Sequence, residues 1–278
     1  EGNFNAPLPN IKSEDEVREL HDSFAYMQTS LSEYMTQLTE TTKAKERIES
    51  ELNIAHNIQM GMLPKIFPPF PNRTDIDIFA FLEPAKEVGG DLYDFFIDGE
   101  NLYVIIGDVS GKGLPASLLM AVTRSIFRSI ATSLEEPARI ISAMNSAISE
   151  NNESNMFVTI FAGIIDLTNG KMKYCNAGHN PPAFVKSSGE VEWLKVIPNI
   201  PIGLFTKFNF QQQEMNIAPE DMLLLYTDGI TEAEAENKEL YGEQRLYDCL
   251  SQVGTKNVKE VIGGIRKSVG EHVKDAPQ

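Results

Sequence analysis

Histidine, cysteine and basic side chains are scarce in this sequence, and each shortage excludes a class of chemistry. The four histidines, His21, His56, His179 and His272, are scattered, so a catalytic zinc centre, which normally draws on imidazole, has no clustered ligand set to use. Two cysteines, Cys175 and Cys249, are too few for a disulfide framework and point to a reducing compartment, with the cytoplasm as the expected location. Cys175 also has no arginine six residues further on, against a cysteine-dependent phosphatase. Lysine and arginine number 24 against 40 aspartate and glutamate, and the net charge of −16 repels a phosphate backbone, so nucleic acid is not an expected partner. No run of about 18 apolar residues occurs, and the opening Glu1-Gly-Asn-Phe-Asn lacks a charged segment leading into an apolar one. Neither a membrane span nor a signal peptide is expected within these residues; membrane attachment would need a segment upstream of them.

What is present is 42% hydrophobic content over 278 residues, enough for one sizeable core and a smaller appendage. From Leu20 the apolar positions step through Phe24, Met27, Leu31, Tyr34 and Leu38, then Ile48, Leu52, Ala55 and Met62, with polar slots at Thr41, Lys45 and Gln59. That spacing is a heptad seam, and the polar remaining faces favour a parallel two-stranded coiled coil over a long helix packed on its own domain. Thr41 and Lys45 fall on consecutive seam positions and mark a soft patch. The helix is expected to end at Met62-Leu63-Pro64, where proline removes a backbone donor, and Pro64, Pro68, Pro69 and Pro71 fill a linker.

Beyond the linker, strands are expected over Ile76 to Leu82, Leu92 to Ile97, Leu102 to Val109, Phe157 to Leu167, Met172 to Asn176, Ala183 to Lys186, Val191 to Val196, Phe208 to Met215 and Met222 to Thr227. Asp98-Gly99, Asn169-Gly170 and Ser188-Gly189 are hairpin signals. Helical patterns run from Pro115 to Thr132, Pro137 to Asn151, Gly242 to Gln252 and Val258 to Val269. Hairpin-paired strands with helices inserted in pairs read as α+β, antiparallel sheets covered by helices.

Three acidic motifs fall where strands end: Val88-Gly89-Gly90-Asp91, Gly107-Asp108-Val109-Ser110-Gly111-Lys112-Gly113 and Tyr226-Thr227-Asp228-Gly229. A carboxylate at the end of a rigid strand is held in place, and adjacent glycine lets backbone and solvent approach. Oxygen-only ligands of this kind suit Mg²⁺ or Mn²⁺. Two such ions about 3.5–4 Å apart can activate water and neutralise phosphoryl oxygens without a covalent nucleophile.

The strings EVGGDLYDF, GDVSGKGLPASLL, NAGHNPP, PIGL and YTDGITEA, in that order, resemble the SpoIIE/RsbU-type branch of the PPM, or protein phosphatase 2C-like, superfamily from about residue 51 onward. The resemblance implies an αββα sandwich of two antiparallel sheets flanked by helices, and a binuclear Mn²⁺ or Mg²⁺ centre. It implies hydrolysis of phosphoserine or phosphothreonine on a small regulatory protein, such as a STAS-type anti-sigma-factor antagonist. Carried over by position, Asp108 would bridge both ions, Asp91 and the carbonyl of Val109 would bind one, and Asp228 the other. Eukaryotic relatives place a histidine general acid where this chain has Ser110. The family's further metal-binding Asp-Asp pair would follow Val273-Lys-Asp-Ala-Pro-Gln278, so a truncated, impaired site is expected unless Asp275 substitutes. Pro7-Leu-Pro9 and the residues from Glu14 to Met27 resemble the second half of a HAMP module, which implies the cytoplasmic portion of a membrane sensor. The expected organisation is a partial HAMP helix over 1–40, a coiled-coil linker over 41–63 that forms a homodimer, and the phosphatase domain over 64–278.

Other residues carry weaker expectations. Lys86 is a candidate contact for the substrate phosphate, although a solvated lysine is the plainer reading. His179 sits in a turn and is expected to be structural. Asp94, three residues after Asp91, should point to the opposite strand face, as outer support or surface. Gly107 to Gly113 lacks the spacing of an NTP-binding loop. The rival functions are a non-catalytic pseudophosphatase and a diguanylate cyclase, the latter echoed by Gly89-Gly90-Asp91 but followed by Leu92-Tyr93 where Glu-Phe belongs.

Overall fold

The structure is a computed structural model that describes residues 6–10, 12, 15–84, 87–150, 152–254 and 257–274. It divides into two compact units, Glu1–Ala55 and His56–Gln278.

The first unit is dominated by α1 (Glu16–Met62), a helix that continues into the second unit. Asp15 opens it by accepting a hydrogen bond from the Val17 amide at 3.1 Å, and Glu16 and Glu19 place negative charge at the positive end of the helix dipole. The seam side chains stand exposed, Leu20 at 70% and Ile48 at 56%. At the soft patch the Thr41 hydroxyl donates to its own helix, to the carbonyl of Gln37 at 2.8 Å, and Lys45 pairs with Glu49 at 3.6 Å. The helix stops at Met62, before Pro64, as expected.

In the second unit, β1 (Leu92–Asp98) and β2 (Asn101–Val109) form a hairpin through Gly99-Glu100. Two helices follow, α2 (Leu114–Leu134) and α3 (Pro137–Ser149), each with proline in its first turn, where a missing N–H costs nothing. Then come β3 (Val158–Asp166), β4 (Lys171–Ala177), β5 (Ala183–Val185), β6 (Val191–Trp193), β7 (Gln213–Asn216) and β8 (Met222–Leu224). The short α4 (Asp228–Thr231), α5 (Gly242–Val253) and α6 (Val258–Val273) complete the described elements.

The strands form two antiparallel sheets, a five-stranded one in the order β1-β2-β3-β4-β7 and a three-stranded one in the order β6-β5-β8. Three apolar layers follow from strand alternation. Tyr103 and Ile105 of β2 meet Met120 and Phe127 of α2 and Ile141 of α3. Ile106, on the other face of β2, joins Phe161, Met172 and Tyr174 against Leu223 of the second sheet and Leu225 just beyond it. Val185 and Leu224 pack against Leu246, Leu250, Val261 and Ile265 of α5 and α6. The result is helices, sheet, sheet and helices, the αββα arrangement expected from the sequence.

One strand expectation fails and three contract; among these, Val191 to Val196 narrows to Val191–Trp193 and Met222 to Thr227 narrows to Met222–Leu224. Residues 76–84 run without forming a ladder among the described residues; Phe79 instead packs on Phe67 at 4.9 Å, and Phe81 lies under the Arg266 guanidinium at 3.7 Å. The strand expected from Phe208 shrinks to Gln213–Asn216, because Phe208 and Phe210 turn their rings onto each other at 4.9 Å.

Candidate metal centre

The β1–β2 register assembles the first part of the site. Leu92 pairs with Gly107, so one step past the ladder Asp91 stands opposite Asp108. Directly opposed residues share a face, and Asp108 shares its face with Ile106, which looks into the space between the sheets. Asp108 also pairs with Thr159 across β2–β3. From the second sheet, the chain leaves β8 through Tyr226 and Thr227 and delivers Asp228 as the first residue of α4. The Thr227 hydroxyl donates to Asp91 Oδ2 at 3.2 Å, a bond that crosses from one sheet's strand end to the other's.

The electrostatics are those of crowded acids. Asp91 and Asp108 are half-buried and hydrogen-bonded to each other. Burial, then the charges of Asp91 and Asp228, pushes the Asp108 carboxyl up to about 7, with a backbone bond from Val109 opposing the rise. Burial likewise raises Asp91, while its bonds to Asp108 and Thr227 pull the other way. Asp228 acts on both through its charge. Among the described residues no three acidic, imidazole or thiolate groups enclose a single point, so Asp91 and Asp108 form the close pair and Asp228 stands apart from it. An all-oxygen set of this kind fits a hard divalent cation, because the crowding that holds a proton on Asp108 equally favours positive charge between the carboxylates.

The surroundings fix this geometry. A Cβ at Gly90 would meet the carbonyl oxygen of Val109 at 2.8 Å and Asp108 Oδ1 at 3.3 Å, so only glycine lets the two motifs lie this close. His179, 5% exposed, bridges the sheets: its Nδ1 lies 2.9 Å from Thr159 Oγ1 and its Nε2 lies 3.0 Å from the Tyr226 carbonyl. A carbonyl can only accept, so Nε2 carries the hydrogen and Nδ1 accepts from the threonine. Burial, only partly offset by the Tyr226 carbonyl, pushes this imidazole down to about 4. The structural role expected for His179 thus has a definite content, the joining of β3, at the residue paired with Asp108, to the segment that leads into Asp228.

Other candidates are placed elsewhere. Ser110 is occupied by the backbone of Phe157, donating its amide to that carbonyl at 2.8 Å and accepting that residue's N–H on its hydroxyl at 2.9 Å. Asp94 does point away from Asp91, but it is not a surface residue. It is 1% exposed and held by Arg128 through two bonds of 2.6 Å, with Arg124 Nε at 3.0 Å in an ion pair too bent for a hydrogen bond. Lys86 and Asp275 lie outside the described residues. Sequence reasoning missed Thr159 and Thr227. Thr227 adjoins a recognised aspartate and could have been flagged; Thr159 becomes visible only once strand order is known.

Residues 98–278 match the protein family described as stage II sporulation protein E (SpoIIE). Protein IcfG of Synechocystis sp. is 31% identical over 266 residues, covering 86% of this chain and 41% of IcfG. Phosphoserine phosphatase RsbU of Bacillus subtilis is 28% identical over 193 residues, covering 69% of this chain and 57% of RsbU. The chain therefore spans about half the length of these curated relatives. Among solved structures, the SiaA-PP2C domain of Pseudomonas aeruginosa superposes with a TM-score of 0.75 at 20% identity, over 84% of this chain and 94% of that one.

Proposed function

The chain belongs to the SpoIIE family of PP2C-like phosphatase domains, and from that premise we propose that it hydrolyses phosphoserine or phosphothreonine on a small regulatory protein. The observation that carries this reading is the bonded pair of Asp91 and Asp108 at the end of the first sheet, tied through Thr227 to the segment that brings the charge of Asp228 to bear on both. On this reading Asp108, Asp91, the Val109 carbonyl and Asp228 would hold two cations, Mn²⁺ or Mg²⁺, with Asp108 shared between them, Asp91 and Val109 on one and Asp228 on the other. Bound there, such ions supply charge to offset the phosphoryl oxygens and to activate water as the nucleophile.

The chain's own groups do the positioning. Thr227 orients Asp91 through its 3.2 Å bond, and neutral His179 keeps the two sheets in register without adding charge. No side chain serves as a covalent nucleophile in this mechanism: Ser110 is engaged by Phe157, and burial pushes the Cys175 thiol up to about 12. A STAS-type anti-sigma-factor antagonist is the proposed substrate, supported by the likeness to RsbU. In this reading α1 is a cytoplasmic, HAMP-derived stalk and the phosphatase domain begins near residue 64; the exposed apolar seam supports dimerisation through the stalk.

The test is release of phosphate from a phosphoserine protein with Mn²⁺, with EDTA, and with Asp108→Asn. Chelation should abolish turnover, and Asp108→Asn should lower it by at least about 100-fold, since one carboxylate serves both ions. Turnover that persists in EDTA overturns the mechanism. Mn²⁺ binding without any hydrolysis would mark a pseudophosphatase.

A further inference from the structure

Gln59 is the buried side chain of α1, 4% exposed, while the other polar seam positions, Thr41 and Lys45, face solvent. Its amide makes a reciprocal pair with one residue: Nε2 donates to the Gly89 carbonyl at 2.6 Å and Oε1 accepts the Gly89 N–H at 3.3 Å. One turn earlier, His56 Nδ1 lies 2.6 Å from the Glu87 carbonyl, a contact that requires the ring to donate. The last turn of the helix thus grips the backbone over Glu87 to Gly89.

The gripped segment leads straight into the acids. Gly90 follows, seated against Val109 and Asp108 with no room for a side chain, and Asp91 comes next. On the far side of Asp91, the Tyr93 hydroxyl donates to the Pro64 carbonyl at 2.7 Å, so the chain leaving α1 holds β1 as well. Gly89 lies outside any strand, and its buried-side N–H and C=O need partners. An apolar residue at position 59 would bury well but leave both groups unmet. A buried amide that satisfies both polar groups of one glycine specifies position more than it adds stability.

We propose that Gln59, aided by His56, is a positioning residue for Asp91, fixing Gly89 so that the carboxylate stays opposite Asp108. The inference rests on the metal-centre reading above. Its test is the affinity of the whole chain for Mn²⁺ alone, measured by calorimetry without substrate. Gln59→Met preserves size and removes both bonds; Gln59→Glu keeps the acceptor but sets a carboxylate against the Gly89 carbonyl. Each should weaken Mn²⁺ binding by about 10- to 100-fold, while Asn57→Ala, on the exposed side of the same turn, stays within about twofold of the parent. At saturating Mn²⁺ the KM for p-nitrophenyl phosphate should hardly move, which separates ligand positioning from damage to substrate binding.

Circular dichroism and a thermal midpoint establish that each variant is folded. Should Gln59→Met fail to fold, His56→Ala, which removes only a half-exposed contact, decides the matter by the same titration. A folded variant that binds Mn²⁺ as tightly as the parent overturns the proposal. Asp108→Asn distinguishes the failures: if it too binds normally, the metal-centre reading falls and takes the clamp with it. If Asp108→Asn loses Mn²⁺ and the Gln59 variants do not, only the clamp falls.

Discussion

His179 illustrates how a single side chain sets a pH dependence. The folded chain keeps it neutral to about 4, whereas the unfolded chain protonates it near the ordinary 6.5. Between those values the unfolded state binds the extra proton, so stability is full above 6.5 and is lost as pH falls toward 4. At pH 5 the loss from this group is about 2 kcal/mol, from 1.36 kcal/mol per pH unit over about 1.5 units. Urea unfolding of the parent and of His179→Gln at pH 7 and pH 5 should show this extra loss in the parent alone; equal losses would refute the assignment. The carboxylates titrate alike in both proteins and cancel in the comparison. A buried, doubly bonded imidazole could not be read from Asn176-Ala-Gly-His179, although its turn could.

At the scale of elements, Asp94 shows where strand periodicity informs and where it stops. Alternation correctly turned Asp94 away from Asp91, but it said nothing of what lies beyond that face, which is α2. Arg124 and Arg128 descend from that helix onto the carboxylate, and the Arg128 guanidinium also covers the Phe96 ring at 4.5 Å. The structure predicts that Asp94→Asn destabilises the fold, because it strips the counter-charge from two arginines. With Arg128 37% exposed, the cost sits at the low end for a buried pair, about 3 kcal/mol. It should appear as a lower urea midpoint with unchanged slope, and a shift under about 0.5 kcal/mol would mean that water already carries the charge. The same limit explains the other misses. Turn dipeptides are local signals, legible without a partner, and they located the three hairpins; strand-end aspartates, equally local, marked the three candidate acids. Whether Ile76 to Leu82 pairs, that β7 joins the larger sheet, and what Gln59 touches depend on neighbours remote in sequence.

At the scale of the whole molecule, the acidic surface and the exposed seam of α1 bear on assembly. Net charge of −16 favours separation between copies, so a dimer must draw on apolar contact along the helix. Leu31→Glu with Ile48→Glu places charge on that seam and should convert a dimer to a monomer in sedimentation equilibrium, with a changed hydrolysis rate if register governs activity. A dimer with an unaltered rate would remove the stalk from the account. The division of the acids between two sheets has a consequence of a different kind. Asp91 and Asp108 precede, and Asp228 follows, the exposed turn at Ala218–Asp221, where Glu220 has a φ of 69°. On the proposed metal centre, a chain opened there would yield two pieces, each with only part of the acid set and each short of strands for the second sheet. Colour released from an aryl phosphate would then report that the pieces had met, which makes this fold a candidate sensor of proximity between whatever proteins the halves are fused to.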